Sequence, residues 1–310
     1  MTRDAPRGPG PARVQRRRTS ALRRRQTVAA WGFCLPFLVL FTVFTAGPVL
    51  ASLGMSFTDM RSADVRTPFA VQLVGADNFT ALLQDERFLR SLRTTSVFVL
   101  VGVPLTMGLA LLAAVALNRV GRLRAFFRVG YYLPVVTSIV AVAVVWRFLL
   151  QPDSGAVNTA LGWVGISGPA WLDSETYALP ALIAMATWRN LGTLMVIFLA
   201  GLQTVPVQLH EAATVDGASA WQGFRYITLP ILRPVMLFGA VITSIGYLQF
   251  FEEPFVMTQG GPLDSTLSMS YYVYQQFGFG NYGYASAVSY VLFVCIVALT
   301  VVQFRVFRER

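Results

Sequence analysis

The chain has 310 residues, of which 55% are hydrophobic and only 13% are charged, and its mean hydropathy is +0.57. A soluble domain usually carries about a quarter charged residues. The apolar residues also come in long uncharged blocks, which excludes an ordinary soluble enzyme, a secreted disulfide scaffold and a disordered protein. The composition therefore predicts an integral membrane protein.

The basic residues and the thiols exclude further chemistry. All 25 basic residues are Arg, so the chain has no lysine for a phosphate-binding loop or for a Schiff base. The single histidine is His210, and the two cysteines, Cys34 and Cys295, lie in apolar blocks near opposite ends of the chain. Cysteines in such surroundings behave as small hydrophobic residues. We therefore expect no metal site, no cofactor and no catalytic residue in this chain.

Six apolar stretches are long enough to cross a bilayer, which takes about 20 helical residues. The predicted spans are residues 30–53, 94–117, 129–150, 179–201, 235–251 and 285–304. They predict an all-α membrane protein with six transmembrane helices. An even number of spans also puts both termini on the same side of the membrane.

The arginine distribution predicts which side that is, because cytoplasmic segments are rich in arginine. With the N-terminus in the cytoplasm, 18 arginines fall in cytoplasmic segments and 5 in outer ones. Residues 1–25 alone hold nine of them, which predicts a disordered cytoplasmic tail rather than an arm that binds nucleic acid. The first transmembrane helix is then expected over residues 26–55.

Between the fourth and fifth spans lies a predicted cytoplasmic loop, residues 203–234, that is not composed like a flexible linker. Pro206 suits the first turn of a short helix over residues 207–215. Gly217 then stands where a helix C-terminus favours a residue that tolerates positive φ. The first half of the loop is therefore predicted to be a short helix with a tight turn after it.

The second half of the loop has its own helix signals. Ser219 can cap a second short helix, which we expect to end at Ile227. Pro230 and Pro234 then bring the chain back to the membrane. The two helices are predicted to meet at nearly a right angle and to form a rigid knob that docks into a groove on another protein.

This loop also carries a resemblance to a known family. It resembles the EAA loop of ABC importer permeases at Glu211-Ala212-Ala213, at Asp216-Gly217-Ala218 and at Ile227-x-Leu229-Pro230. Other segments are similar to the maltose- and lactose-type sugar permeases, namely residues 200–203, 255–266 and 284–287, Asn78-Phe79 and Tyr132-Leu133-Pro134. The resemblance covers residues 75–305, which we interpret as the permease domain.

The resemblance implies the fold of a type I ABC importer permease in the inner membrane of a bacterial cell. Such a chain pairs with a second permease subunit as a heterodimer and binds two copies of an ABC ATPase, which hydrolyse ATP in its place. An extracytoplasmic binding protein delivers a carbohydrate to the pair. By the same resemblance, Glu211 and Gly217 would sit in the ATPase groove.

Candidate solute-pathway residues come from the fourth and fifth spans. Arg189 lies close to the middle of the fourth span, where a charge is costly and by default marks a function. Asn190 adjoins it, and Thr193 lies one helical turn beyond it on the same face. By resemblance, the fifth span contributes Tyr247, Gln249 and Phe250. Arg189 contacts either the solute or a group of the partner permease.

Two alternative functions stay open. The solute could be a glycerol phosphate or a polyol rather than a sugar. An ion-coupled secondary transporter would instead place carboxylates or broken helices near mid-membrane. The carboxylates next to a span, Glu252 and Glu253, are predicted at the outer end of the fifth span, where an interfacial position costs little.

Overall fold

The computed structural model describes residues 12–67, 71–120 and 124–307, and this part of the chain is almost entirely helical. Within it, one isolated β-bridge joins Thr58 to Leu73. The chain divides into two compact units, residues 1–54 and residues 55–310.

The first unit is a long helix with one irregular turn. Helix α1 spans Ala12–Phe41, a π-helical turn follows at Thr42–Ala46, and helix α2 spans Gly47–Met55. The irregular turn comes directly before Pro48, whose ring would clash with the carbonyl four residues earlier in a regular helix. The stretch Arg24–Met55 is long and apolar enough to cross a membrane.

Helix α1 corrects the prediction of a disordered tail over residues 1–25. Residues 1–11 lie outside the described part of the chain, but residues 12–25 belong to α1. This segment is rich in Arg, which is a good helix former, so the helix of the first span extends back into it. The predicted span over residues 26–55 accordingly begins inside a longer helix.

The second unit contains twelve α-helices within the described residues. They are α3 Asp77–Leu82, α4 Glu86–Arg119, α5 Arg124–Val136, α6 Ile139–Leu149, α7 Ala156–Trp163, α8 Ala178–Leu202, α9 Val207–Val215, α10 Ala220–Gly223, α11 Leu229–Leu248, α12 Glu252–Met257, α13 Met269–Gly278 and α14 Tyr282–Phe307. Helices α4, α8 and α14 and the run Ala220–Met257 can each cross a membrane by length and composition. With the first unit they make five candidate spans in the described residues, or six if α5 and α6 form one broken span.

The third predicted span, residues 129–150, is not one straight helix. Helices α5 and α6 form a pair bent by 98°. Pro134 removes a backbone donor in the last turn of α5, and Ser138 has a non-helical ψ of 126°. A close approach fixes α5 against α8, because a Cβ at Gly192 would overlap the Tyr131 carbonyl oxygen.

The fifth span also differs from its prediction. The second helix of the loop does not end at Ile227 but continues through a π-helical turn at Phe224–Thr228 into α11. That turn accommodates Pro230, which stands in the first turn of α11, so the proline does not end the helix. Pro234 lies inside α11. The knob is therefore one separate short helix, α9, followed by the extended start of the fifth span.

Small residues allow the central helices to pack closely. At one end of the bundle, Ala110 and Ala114 of α4 lie in a buried cluster with Leu194 and Phe198 of α8. Gly239 of α11 packs against the Phe198 ring, and a Cβ added at this glycine would come into tight contact with that ring. Close contact through small side chains is the usual way in which membrane helices associate. The three helices thus form the rigid frame on which the candidate site is built.

Candidate functional site

A cavity of about 250 Å³ opens between α8, α11 and the start of α12. We call it the Arg189 cavity. It is lined by Arg189, Asn190, Thr193, Leu194, Ile242, Thr243, Gly246, Tyr247, Phe250, Glu252 and Glu253. Five of the six residues that the sequence proposed for the solute pathway meet here. The sixth, Gln249, is exposed and does not line the cavity.

Helix periodicity and a helix break bring these residues together. Arg189, Asn190 and Thr193 share one face of α8, because residues three and four apart are neighbours on a helix. Helix α11 ends at Leu248, and three non-helical residues separate it from α12. The break places Phe250 in the cavity wall beside the two glutamates that open α12.

Arg189 has unused hydrogen-bonding capacity at the cavity wall. Its Nε atom is buried and has no hydrogen-bond partner among the described residues. Among the described residues, the one ion pair is formed by Arg87 and Asp264. No carboxylate of these residues therefore lies within ion-pair distance of Arg189. The neighbouring Asn190 donates its amide nitrogen to the Ala186 carbonyl at 2.9 Å. A buried donor without a partner costs about 1–3 kcal/mol, so this wall is suited to a ligand that accepts hydrogen bonds.

Tyr247 lines the cavity, but its hydroxyl is already hydrogen-bonded within the protein. The side chain is only 4% exposed, and its hydroxyl forms a 2.7 Å hydrogen bond with Thr106 Oγ1. Gly102 leaves room for the ring, since a Cβ there would stand 2.8 Å from it. Phe98 contacts this ring edge-on and stacks on Phe250 with centroids 3.8 Å apart. Residues of α4 therefore hold the Tyr247 phenol in place. The edge of the aromatic cluster formed by Phe98, Tyr247 and Phe250 forms part of the cavity wall.

Glu253 is the functional candidate that sequence reasoning missed. The sequence predicted only that it lies at the outer end of the fifth span; the structure adds that the side chain is 5% exposed and lines the cavity. Glu252, next to it, is exposed and also reaches the cavity. The sequence feature that could have indicated Glu253 is the pair of consecutive acidic residues directly after a span. Whether they are buried, however, depends on the helix break after Leu248.

A second set of polar side chains lies at the N-terminal end of α4, and its members are hydrogen-bonded to one another. Asp85 caps α4, with Oδ1 accepting from the backbone N–H groups of Arg87 and Phe88. Its Oδ2 accepts from the hydroxyls of Tyr272 and Tyr284. The cap thereby ties α4 to α13 and α14.

An ion pair extends this group. The guanidinium of Arg87 donates to both oxygens of Asp264 at 2.9 and 3.0 Å and to Gln275 at 3.1 Å. We call Asp85, Arg87, Asp264, Tyr272 and Tyr284 the Asp85 cluster. Two-point contacts of this kind hold both side chains in a defined orientation.

Hydrogen bonding controls the charge state of the cluster. Partial burial acts to raise the pKa of Asp85, but the hydrogen bonds from the two tyrosines and two backbone N–H groups outweigh it and lower the pKa below its usual value. Burial, together with the hydrogen bond to this carboxylate, raises the pKa of Tyr272 to about 12. At neutral pH the carboxylate is therefore ionised and the phenol neutral.

The 203–234 loop has the turn that its sequence predicts. Gly217 takes φ +79°, and Ala218 N–H donates to the Ala213 carbonyl at 2.8 Å, which closes α9 with a C-terminal capping turn. Ser219 caps α10 reciprocally with Gln222. The first loop helix, α9 Val207–Val215, matches its predicted range.

His210 braces the loop. Its Nε2 lies 3.2 Å from Thr228 Oγ1, and its ring packs against Gly223. The apolar side chains of Val215 and Trp221 are nevertheless 88% and 69% exposed. The other motif residues lie along the same knob: Glu211, Ala212, Ala213 and Asp216 on α9 and its cap, and Leu229 and Pro230 at the start of α11. A braced knob with exposed apolar side chains is suited to docking.

Comparison with known proteins identifies the family. Residues 102–308 match the family described as binding-protein-dependent transport system inner membrane component. The chain belongs to that family. The permease is 40% identical over 91% of its length to the probable ABC transporter permease YesP of Bacillus subtilis, of which 91% is covered. It is 36% identical to the lactose transport system permease LacF of Rhizobium radiobacter, with 94% of this chain and 98% of LacF covered.

A solved structure extends the comparison to the fold. The permease superposes with a TM-score of 0.76 on a chain of a bacterial ABC transporter that imports the acidic polysaccharide alginate, at 27% identity. The match covers 94% of the permease and 98% of that chain. The predictions of an ABC importer permease subunit, of its all-α fold and of a multi-pass inner-membrane location are thereby confirmed. The relatives are transport subunits, so the permease is one as well and not an enzyme.

Proposed function

We propose that the permease is the membrane-spanning subunit of an ABC transporter that imports a carbohydrate through the Arg189 cavity. The observation that carries this proposal is the cavity itself, which combines an unpaired guanidinium, an amide, carboxylates and aromatic edges. Such mixed walls bind hydroxyl groups through their polar atoms and the apolar face of a sugar ring through their aromatic ones.

The relatives support a carbohydrate as the solute. LacF is named for lactose, and a permease of Halalkalibacterium halodurans that is 32% identical is named for arabinooligosaccharides. A second candidate, glycerol phosphate, rests on a 33% identical permease of Agrobacterium fabrum named for sn-glycerol-3-phosphate. Membership in a binding-protein-dependent family argues against the ion-coupled alternative.

The partners follow from the same proposal. A second permease subunit completes the pathway as a heterodimer, and two copies of an ABC ATPase dock on the 203–234 loop and its counterpart. An extracytoplasmic binding protein delivers the solute; the related alginate transporter was solved with a periplasmic protein that carries an alginate pentasaccharide. Both termini and the loop then face the cytoplasm. A cysteine introduced into residues 203–234 is therefore expected to resist labelling in intact cells, whereas cysteines introduced into residues 151–178 and 254–284 react.

The docking role has a matched test. Gly217 has φ +79° and Gly165 φ +78°, and a Cβ at either glycine meets no atom within 4 Å. Aspartate therefore introduces the same backbone strain at both positions, but only Gly217 lies in the loop. We expect Gly217→Asp to abolish ATP-dependent sugar uptake and ATPase copurification while membrane abundance stays normal, and Gly165→Asp to leave all three unchanged.

A charge reversal provides an independent check. Glu211→Lys is expected to have the same effect as Gly217→Asp, because it inverts the charge of an exposed residue of the knob without touching the bundle. Normal uptake in both loop variants would mean that the loop is only a connector and that the ATPase docks elsewhere.

A further inference from the structure

Arg189 and Glu253 are a basic and an acidic side chain that line the same cavity. Glu253 is only 5% exposed. Among the described residues, however, neither side chain forms an ion pair, and Arg189 Nε has no hydrogen-bond partner. The two side chains therefore share the cavity without forming an ion pair there.

This arrangement is costly unless something else occupies the space. A buried charge is stabilised only when it is both paired and hydrogen-bonded. A group lying between the two side chains must accept hydrogen bonds from the guanidinium and donate one to the carboxylate. A hydroxyl does both, because it carries one donor and two acceptor lone pairs.

We propose that Arg189 and Glu253 together make the permease selective for a neutral, polyhydroxylated solute by binding neighbouring hydroxyls of one sugar ring. The guanidinium donates a hydrogen bond to a hydroxyl oxygen, and the carboxylate accepts a hydrogen bond from the same or the adjacent hydroxyl. This inference rests on the proposed function and specifies its substrate class.

The charges of the cavity disfavour an acidic solute. Arg189 alone would attract a carboxylate or a phosphate, but Glu252 and Glu253 add two acidic side chains to the same space. Carboxylates accept hydrogen bonds and donate none when ionised. An anionic solute would therefore leave them without a donor and add repulsion that is poorly screened in a partly buried site.

The test uses the complete transporter, with both permeases, the ATPase and the binding protein, in proteoliposomes. The probes are radiolabelled lactose, maltotriose and arabinotriose as neutral solutes, and digalacturonate and glycerol 3-phosphate as anionic ones. We expect ATP-dependent uptake of neutral probes only. Glu253→Gln should reduce that uptake roughly tenfold or more, the effect of losing a hydrogen bond to a charged group. Glu175→Gln, the same change at an exposed residue outside the cavity, should transport normally.

A double variant separates solute binding from simple charge neutralisation. If Arg189 and Glu253 only balance each other, the combination of Arg189→Gln with Glu253→Gln recovers uptake that each single change loses. If they bind the solute, the double variant is at least as impaired as either single one. Recovery in the double variant overturns the inference.

The remaining outcomes distinguish this inference from the proposed function. The inferred selectivity is wrong if the transporter takes up digalacturonate or glycerol 3-phosphate better than the neutral probes. It is also wrong if Glu253→Gln transports normally. Neither result contradicts the proposed importer function. Absence of ATP-dependent uptake of every probe by the unaltered transporter contradicts the proposed function itself. The ratio of neutral to anionic uptake does not depend on how much complex assembles, so a poorly assembling variant still reports selectivity.

Discussion

The Asp85 cluster and the Arg189 cavity both hold charged groups that are at least partly buried, but the groups are hydrogen-bonded within the protein in one region and not in the other. In the cluster, the Asp85 carboxylate accepts four hydrogen bonds and Arg87 meets Asp264 at two points. In the cavity, Arg189 Nε has no partner among the described residues, and Glu253 is buried without an ion pair there.

The difference separates structural from functional charge. A group whose hydrogen bonds are all made by the protein holds elements together, and its loss is felt as stability. A group that the fold buries but leaves open is destabilising by itself and is retained for what it can bind. We therefore expect substitutions in the cluster to lower stability, and substitutions in the cavity to lower transport.

The largest effect on stability is expected for Asp85→Ala. The substitution removes the cap of α4 and the acceptor of two tyrosine hydroxyls, and such losses together amount to about 3 kcal/mol. Thermal unfolding of the detergent-solubilised transporter measures it. Asp153→Ala serves as the control, because Asp153 is an exposed acid outside the cluster, and the unfolding of this variant should be unchanged. If the two variants unfold at the same temperature, the cluster does not stabilise the fold.

A smaller effect, of a different kind, is expected for Arg189→Ala. Among the described residues, Arg189 forms no ion pair and its Nε has no hydrogen-bond partner, so its removal costs few contacts and unfolding should change little. Uptake should fall roughly thirtyfold, which corresponds to about 2 kcal/mol for a hydrogen bond to a charged group. Uptake is measured beside ATPase copurification. A complex that falls apart would instead make Arg189 a structural contact to the partner permease.

Local sequence patterns were sufficient for much of this contrast. A lone charge in an apolar run predicted Arg189, and helix periodicity predicted that Asn190 and Thr193 share its face. Gly217 was predictable because its turn depends only on neighbouring residues. The α-helical class and the approximate spans follow from the length of apolar stretches.

Features that depend on helix breaks could not be predicted in this way. Hydrophobicity along the third span is continuous across the 98° bend between α5 and α6. The burial of Glu253 depends on where α11 stops and how α12 re-enters the protein, and neither is encoded in residue spacing. The Asp85 cluster joins residues almost 200 positions apart in the sequence, such as Asp85 and Tyr284, so only the packed fold reveals it.

A third prediction concerns the residue that belongs to both kinds of region. Tyr247 lines the cavity, but its hydroxyl is bonded to Thr106 and its ring packs against Phe98. Tyr247→Ala would therefore damage the core as well as the cavity and does not test solute contact. Tyr247→Phe should lose about 1 kcal/mol of stability and leave uptake nearly unchanged. A large loss of uptake with normal unfolding would show that the hydroxyl turns from Thr106 to the solute during transport.

The smallest effect is the pH dependence of the cluster. Because the folded-state pKa of Asp85 is lowered from its usual 3.8, its carboxylate contributes stability that is fully present above that value and is lost as pH falls through the lower, folded value. Thermal unfolding should therefore show that the advantage of the unaltered protein over Asp85→Asn is constant from about pH 7 to pH 5 and shrinks toward pH 3. Asn cannot ionise and keeps one acceptor oxygen, so it can retain the helix cap while it loses the charge and the oxygen that accepts from the two tyrosines. Arg189→Ala should leave this acid-dependent difference as it is in the unaltered protein, since the cavity lies outside the cluster; if the difference disappears there, the two regions are coupled rather than independent.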